Sequence, residues 1–348
     1  MKKNLFYMAI LLGFISCGNQ EQETTGTADT TTVDSSAVAT TALIEKAKGL
    51  FGELPKQADN PNNKITDAKV KLGKVLYYDN NLSKDKTMSC NTCHNLETYG
   101  VDNNPVSKGD DGTSFGTRNS PTVLNAALHV SQFWDGREPD VEAQAGGPIL
   151  NPVEMNIPSE EFLLERLSKI EEYNTMFTEA FPGEDNPLTY DNIKKSIGAF
   201  ERTLITPSKF DDFINGDATA LNQQEQKGLE TYINVGCTTC HSGNNLGGTM
   251  FMKFGIHADY PEFTKSEKID NGKFDLTQNE ADKYVFKVPS LRNIEKTYPY
   301  FHDGSVADLS EAVQIMAKTE LNKELTQEEL NDIVAYLKTL TSDFTMSK

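Results

Sequence analysis

Two copies of one short pattern limit what this chain can fold into: Cys90-Asn91-Thr92-Cys93-His94 and Cys237-Thr238-Thr239-Cys240-His241. Thiols at i and i+3 lie on one helical turn, where each can form a thioether with a vinyl group of a haem. The adjacent His then swings beneath the iron as proximal ligand. A zinc or redox Cys-x-x-Cys is the competing reading. The His that follows both copies, and the lack of further cysteine pairs, argue against it. Cys90, Cys93, Cys237 and Cys240 are therefore expected to hold two c-type haems, with His94 and His241 on the irons.

The fifth cysteine, Cys17, sits at the end of an export signal. Lys2 and Lys3 precede an apolar run from Leu5 to Ile15, too short to span a bilayer as a stable helix. Phe14-Ile15-Ser16-Cys17 resembles a bacterial lipoprotein cleavage box, with Phe14 in place of the usual Leu. Residues 1–16 read as a signal peptide and Cys17 as a lipid anchor, so the membrane is met only through that anchor. Residues 17–41 are mostly small and polar, the composition of a flexible tether. The implied location is the periplasm of a Gram-negative bacterium. A net charge of −18 argues against nucleic acid as a partner.

The remaining chain shows helical rather than strand-like periodicity, so the expected class is all-α. Asp67 to Tyr78 places Ala68, Leu72, Val75 and Leu76 on one apolar face, with Val70 off it. Phe162 to Phe181 and Tyr190 to Leu204 are amphipathic, the first stopping at Pro182-Gly183. Asn222-x-x-Glu225 and Thr326-x-x-Glu329 supply capping boxes, the second for a helix with Ile333, Val334, Tyr336, Leu337 and Leu340 on its apolar positions. Helix, haem motif, loop and closing helix thus occur twice. This predicts two cytochrome c-like haem domains in tandem with long loops, residues 42–206 and 207–348.

The sixth ligand decides what each iron does. In the second half Met316 lies on a helical stretch, Leu309 to Ala317, with Met250 and Met252 as rivals. In the first half only His129 follows His94, beside Leu128 and Val130, and it reads better as a hydrogen-bonded core or surface residue than as a ligand. Met88, Met155 and Met176 remain alternatives by spacing.

From Leu72 to Leu340 the chain resembles the bacterial dihaem cytochrome c peroxidases. The matching runs are Ser89 to His94, Arg118-Asn119-Ser120-Pro121-Thr122-Val123-Leu124-Asn125, Gln132-Phe133-Trp134-Asp135-Gly136-Arg137, Asn151-Pro152-Val153-Glu154-Met155 and Pro299-Tyr300-Phe301-His302-Asp303-Gly304. The resemblance implies reduction of hydrogen peroxide at the N-terminal haem, with electrons relayed through the C-terminal haem from a small donor, a monohaem cytochrome c or a copper protein. It assigns Glu154 as the distal acid–base carboxylate, Gln144 as its neighbouring amide, Trp134 as the link between haems and Met316 as the second iron's ligand. It puts His302 near the second haem. Asn119, Thr297 and Pro299 match residues around an interdomain calcium, and oxygen-only ligation suits Ca2+. A tendency to form homodimers is implied as well.

One departure stands out. Where many members carry a distal His that closes the peroxidatic haem, this chain has Ser107-Lys108-Gly109-Asp110-Asp111-Gly112-Thr113-Ser114, with Asp111 at the expected position. The expectation is a peroxidatic iron without that inhibitory ligand. Two rivals are a non-catalytic dihaem electron carrier, with both irons closed, and a protein-oxidising dihaem enzyme, a group that uses Tyr as a haem ligand.

Overall fold

The computed structural model describes residues 35–266 and 268–345. The signal peptide, Cys17 and most of the tether lie outside them. In chain order the helices are α1 (Ser35–Phe51), α2 (Asp67–Tyr78), α3 (Cys90–Cys93), α4 (Val141–Leu150), α5 (Glu160–Ser168), α6 (Glu171–Ala180) and α7 (Tyr190–Glu201). There follow α8 (Lys209–Ile214), α9 (Gln223–Val235), α10 (Tyr260–Thr264), α11 (Phe274–Thr277), α12 (Leu309–Leu321) and α13 (Gln327–Lys338). Both expected capping boxes form, at Asn222/Glu225 on α9 and at Thr326/Glu329 on α13.

The fold is helical, with one addition that periodicity missed. Strands β1 (Phe251–Lys253) and β2 (Val285–Lys287) form an antiparallel ribbon, too short to show alternation. Phe162 to Phe181 is two helices rather than one. Leu167 and Tyr173 both face the core, yet on a continuous helix they would point about 120° apart. The break at Lys169-Ile170 brings both inward. On α2 the buried stripe is Leu72, Gly73, Leu76 and Tyr77, which leaves Val75 exposed, contrary to expectation.

Each half is organised by a helix crossing at a glycine. A Cβ on Gly73 would lie 1.9 Å from Ser196 O on α7, and one on Gly228 would lie 1.9 Å from Asp332 O on α13. Four residues after each glycine comes a buried tyrosine, Tyr77 or Tyr232. Its hydroxyl donates to the main-chain oxygen of the haem-motif histidine, Tyr77 to His94 O at 2.5 Å and Tyr232 to His241 O at 3.0 Å. In both motifs the His N–H also donates to the first Cys carbonyl at 3.0 Å. The two halves therefore share one local design.

A second repeated device joins them. Asn125 and Asn293, both fully buried, take left-handed backbone conformations, φ 61° and 60°. Their side-chain amides both donate to Thr206 Oγ1, at 2.7 and 2.9 Å. The halves also exchange ends. Leu43, Ile44, Ala47 and Phe51 of α1 pack in the C-terminal core with Phe210, Tyr232 and Tyr336, while Phe344 packs against the N-terminal cluster of Tyr77, Leu124 and Phe200. Residues 35–41, read as tether, are helical, and α1 packs with the second half although it was expected in the first. Its apolar stripe covers Phe210, whose ring meets Phe51 edge-on at 5.3 Å.

Candidate active site: two haem cavities and a shared wall

A cavity of about 1070 Å³ opens beside α3 and is lined by Cys90, Cys93, His94, Gln144 and Glu154. A second cleft is lined by Cys237, Cys240, His241 and Met316. Asn119, Pro121, Thr122, Trp134 and His302 line both, and so form the wall between them. Asn119 and His302, far apart in sequence, thus meet because the halves pack through this wall, Asn119 N–H donating to His302 O at 2.7 Å.

The side chains fit covalent haem. All four motif cysteines are free thiols. Burial pushes Cys90 up to about 12 and both Cys93 and Cys237 up to about 11, so they stay protonated. Burial also holds His241 down, to about 4, and therefore neutral. Its Nδ1 lies 3.2 Å from Leu246 O, which assigns the proton to Nδ1 and leaves the Nε2 lone pair for iron. Burial also pushes His94 below the ordinary imidazole range; the main chain of Pro121 and Gly100 lies near its ring, but among the described residues no well-aligned hydrogen bond reaches its Nδ1.

Glu154 sits on the turn after α4, in the sequence Asn151 to Met155. Burial raises its carboxyl above the ordinary range, partly offset by a hydrogen bond from Asn151 and the charge of Arg137. That turn is stapled to neighbouring chain. Asp110 N–H donates to Glu154 O at 2.8 Å, and Lys84 N–H donates to Met155 O at 2.9 Å. The buried Asp110 carboxylate accepts from Asp85 N–H at 2.8 Å and from the Thr87 hydroxyl at 2.6 Å. Segment 84–87, which runs directly into Cys90, is thereby fixed to the turn that carries Glu154.

Asp111, at the position where the resemblance leads one to expect a distal His, points away. It is exposed, and its carboxylate accepts from Thr113 N–H, Ser114 N–H and the Ser114 hydroxyl. Ser107, Lys108 and Gly116 line the first cavity, whereas residues 109–115 do not. His129 belongs to the second cleft, with Nδ1 accepting from the Lys287 ammonium at 3.0 Å. Met88 and Met155 line the first cavity and pack into its core, and Met176 packs in that core away from the lining. Of the rivals to Met316, Met252 lines the second cleft and Met250 does not.

In the wall, Trp134 Nε1–H donates to Asn119 O at 2.9 Å, and the Trp134 and His302 rings meet with centroids 6.3 Å apart. Asn119, Thr297 and Pro299 all border the second cleft. The Asn119 amide nitrogen is engaged with Asn104 O and Pro105 O, so its Oδ1 is the atom left for a cation. Arg118 reaches across the mouth of the first cavity to Asp270 of the other half, at 2.6 and 2.9 Å, and also to Asp135 at 2.6 Å.

Periodicity and spacing did not mark Tyr77, Tyr232, Asp110, Arg118 or Asp270. For the tyrosines a signal exists in the repeated Gly-x-x-x-Tyr of Gly73–Tyr77 and Gly228–Tyr232. Asp110 and Asp270 carry none.

A sequence profile described as di-haem cytochrome c peroxidase matches residues 67–219, and a cytochrome c profile matches residues 225–341. Cytochrome c551 peroxidase of Pseudomonas aeruginosa is 42% identical over 302 residues, covering 86% of each chain. The Nitrosomonas europaea protein of the same description is 45% identical over 273 residues, covering 78% of this chain and 79% of its own. A solved MauG-like protein associated with microbial copper homeostasis superimposes with a TM-score of 0.75 at 29% identity, covering 83% of this chain and 94% of that one.

Proposed function

The chain belongs to the di-haem cytochrome c peroxidase family, and on that premise we propose that it reduces hydrogen peroxide to water at the Cys90–His94 haem. Electrons enter from a small redox protein at the Cys237–His241 haem and cross the wall at Trp134. The observation that carries this reading is the position of Glu154: a desolvated carboxyl lining the same cavity as His94.

The haem iron supplies the site where peroxide binds and the electrons it receives. The chain's own residues manage protons and position. Cys90, Cys93 and His94 hold the group, and Cys237, Cys240, His241 and Met316 hold its partner. Glu154 accepts the proton of the iron-side peroxide oxygen and returns it to the departing hydroxyl. The Gln144 amide orients the same oxygen pair by hydrogen bonding. Oδ1 of Asn119 and the main-chain oxygens of Thr297 and Pro299 would supply oxygen ligands of the kind that suits Ca2+. Export to the periplasm and acylation at Cys17 belong to the same reading, through residues outside those described.

Steady-state peroxide turnover of wild type and Glu154→Gln, started from the fully oxidised protein, tests the proposal. Full wild-type turnover with loss in the variant supports both the chemistry and the open iron. No turnover in either protein points to a dihaem carrier, and equal, appreciable rates remove Glu154 from the chemistry. The protein-oxidising alternative requires a Tyr on the second iron. Of the tyrosines bordering that cleft, Tyr232 donates to His241 O and Tyr300 to Ile294 O, which favours Met316.

A further inference from the structure

Glu201 is the last residue of α7, is 4% exposed and lines the first cavity. No hydrogen bond reaches its carboxyl from the described residues, and its oxygens are not among the fully enclosed atoms that lack a partner, so the carboxyl opens onto the cavity it lines. Each group that faces it is already committed or uncharged. From α4, Glu142 forms a two-pronged pair with Arg202 at 2.7 and 2.6 Å and also accepts from Asn63 at 2.9 Å. Arg202 spends its remaining reach on Ala58 O at 3.1 Å. From α2, the Tyr77 hydroxyl is donated to His94 O. From α3 the neighbour is Cys90, which becomes a thioether once haem is attached. Arg202 is thus neutralised by Glu142, and Glu142 itself repels a second negative charge.

Reduction of peroxide consumes protons: H2O2 + 2 e− + 2 H+ → 2 H2O. The shuttle at Glu154 returns the proton it takes, so it supplies none. Both must come from elsewhere, into a pocket that excludes bulk water as haem fills it. We propose that Glu201 is the proton-holding residue of the N-terminal haem, taking up one proton as an electron arrives and releasing it as that electron passes to peroxide. The balance per electron would be Glu201–COO− + H+ + ferric haem + e− → Glu201–COOH + ferrous haem, reversed when the electron passes on to peroxide. Burial raises this carboxyl to about 8 before any haem charge is counted. Ferric iron would place one more positive charge near the carboxyl than ferrous iron, which would lower that value, and reduction would restore it, so the group would change protonation with the redox state near neutral pH.

This inference rests on the Cys90–His94 haem being the peroxidatic one, and its test reads a potential rather than turnover. Spectroelectrochemical titration of the N-terminal haem in the holoprotein, at pH 5.5 to 9, compares wild type, Glu201→Gln and Glu201→Asp. The wild-type electron-exchange constant should fall up to tenfold per pH unit around neutrality, which is about 59 mV for one electron. Glu201→Gln should flatten that slope, and Glu201→Asp should keep a slope displaced along the pH axis. A slope that survives in Glu201→Gln, or a wild-type potential independent of pH, overturns the proposal. If Glu201→Gln does not take up haem, the wild-type infrared redox-difference spectrum decides. A carboxylic C=O band that gains on reduction and shifts in D2O supports it, and no such band overturns it. Loss of turnover in Glu154→Gln with the wild-type slope intact concerns Glu154 alone.

Discussion

At the scale of single residues, the first cavity holds two buried carboxyls with different prospects. Glu154 carries a nearby cation, Arg137, and an amide partner, Asn151, so its rise is moderated. It can ionise and act as a base at working pH. Because burial raises its pKa, the acid limb of kcat/KM should fall at a pH above that of an ordinary carboxylate. Activity is lost as pH drops and the base is protonated. Glu154→Gln should remove this limb and lower kcat by about 10²–10⁴-fold, the usual contribution of a positioned acid–base group, checked by pH–rate profiles. The haem cysteines and histidines were legible in the sequence because covalent attachment is local, within one helical turn. Glu201 was not legible. It ends an amphipathic helix beside Arg202, which in sequence offers an obvious partner, and only the packing around it shows that Arg202 pairs with Glu142 instead. Glu154 needed the family resemblance, since its own sequence neighbourhood reads better as a helix first-turn acid.

At the scale of elements, caps and crossings were readable where they depend on nearby residues. The boxes at Asn222/Glu225 and Thr326/Glu329 form as spaced. The break between α5 and α6 and the helicity of residues 35–41 were not readable, because each follows from which core the segment meets. The loop from Ser107 to Gly116 shows the same limit. Its sequence says only that a His is missing, whereas its structure shows a hairpin closed by Gly109 N–H to Ser114 O and Gly116 N–H to Ser107 O, both 2.9 Å. Asp110 pins this hairpin to segment 84–87 and to the Glu154 turn, so the tip cannot deliver a ligand without breaking several buried hydrogen bonds. Ferric protein as isolated should therefore show high-spin, five-coordinate or water-bound signals by electron paramagnetic resonance. A wholly low-spin spectrum would contradict this. Asp110 acts through Glu154 as a positioning residue. Asp110→Ala should lower kcat by up to about 100-fold, since a shift near 1 Å at a catalytic group costs on that order. KM for the electron donor and the potential of the second haem should stay unchanged, and Asp110→Asn, which keeps one acceptor, should recover part of the loss.

At the scale of the whole molecule, two similar halves hold a common wall, with Trp134 lining both cavities. The chain does this by crossing over at both ends, with α1 in the C-terminal core and Phe344 against the N-terminal one, and by a junction at Thr206. That hydroxyl accepts from Asn125 of the first half and Asn293 of the second, while Thr206 N–H donates to Asn125 Oδ1 at 2.9 Å and Ser342 N–H donates to Asn293 Oδ1 at 3.0 Å. Thr206 is wholly buried, so water cannot replace it. Thr206→Val keeps the shape and removes only the acceptor, leaving two buried amide donors without partners. Each such group costs about 1–3 kcal/mol, against a net stability on the order of 5–15 kcal/mol for a typical domain. Urea unfolding of the holoprotein, followed separately at the absorption of each haem, should show both halves destabilised together. Thr206→Ser, which restores the acceptor, should recover most of that loss. An unchanged midpoint in Thr206→Val would mean that the halves are held by the crossed ends alone, and truncating α1 would then be the change that separates them.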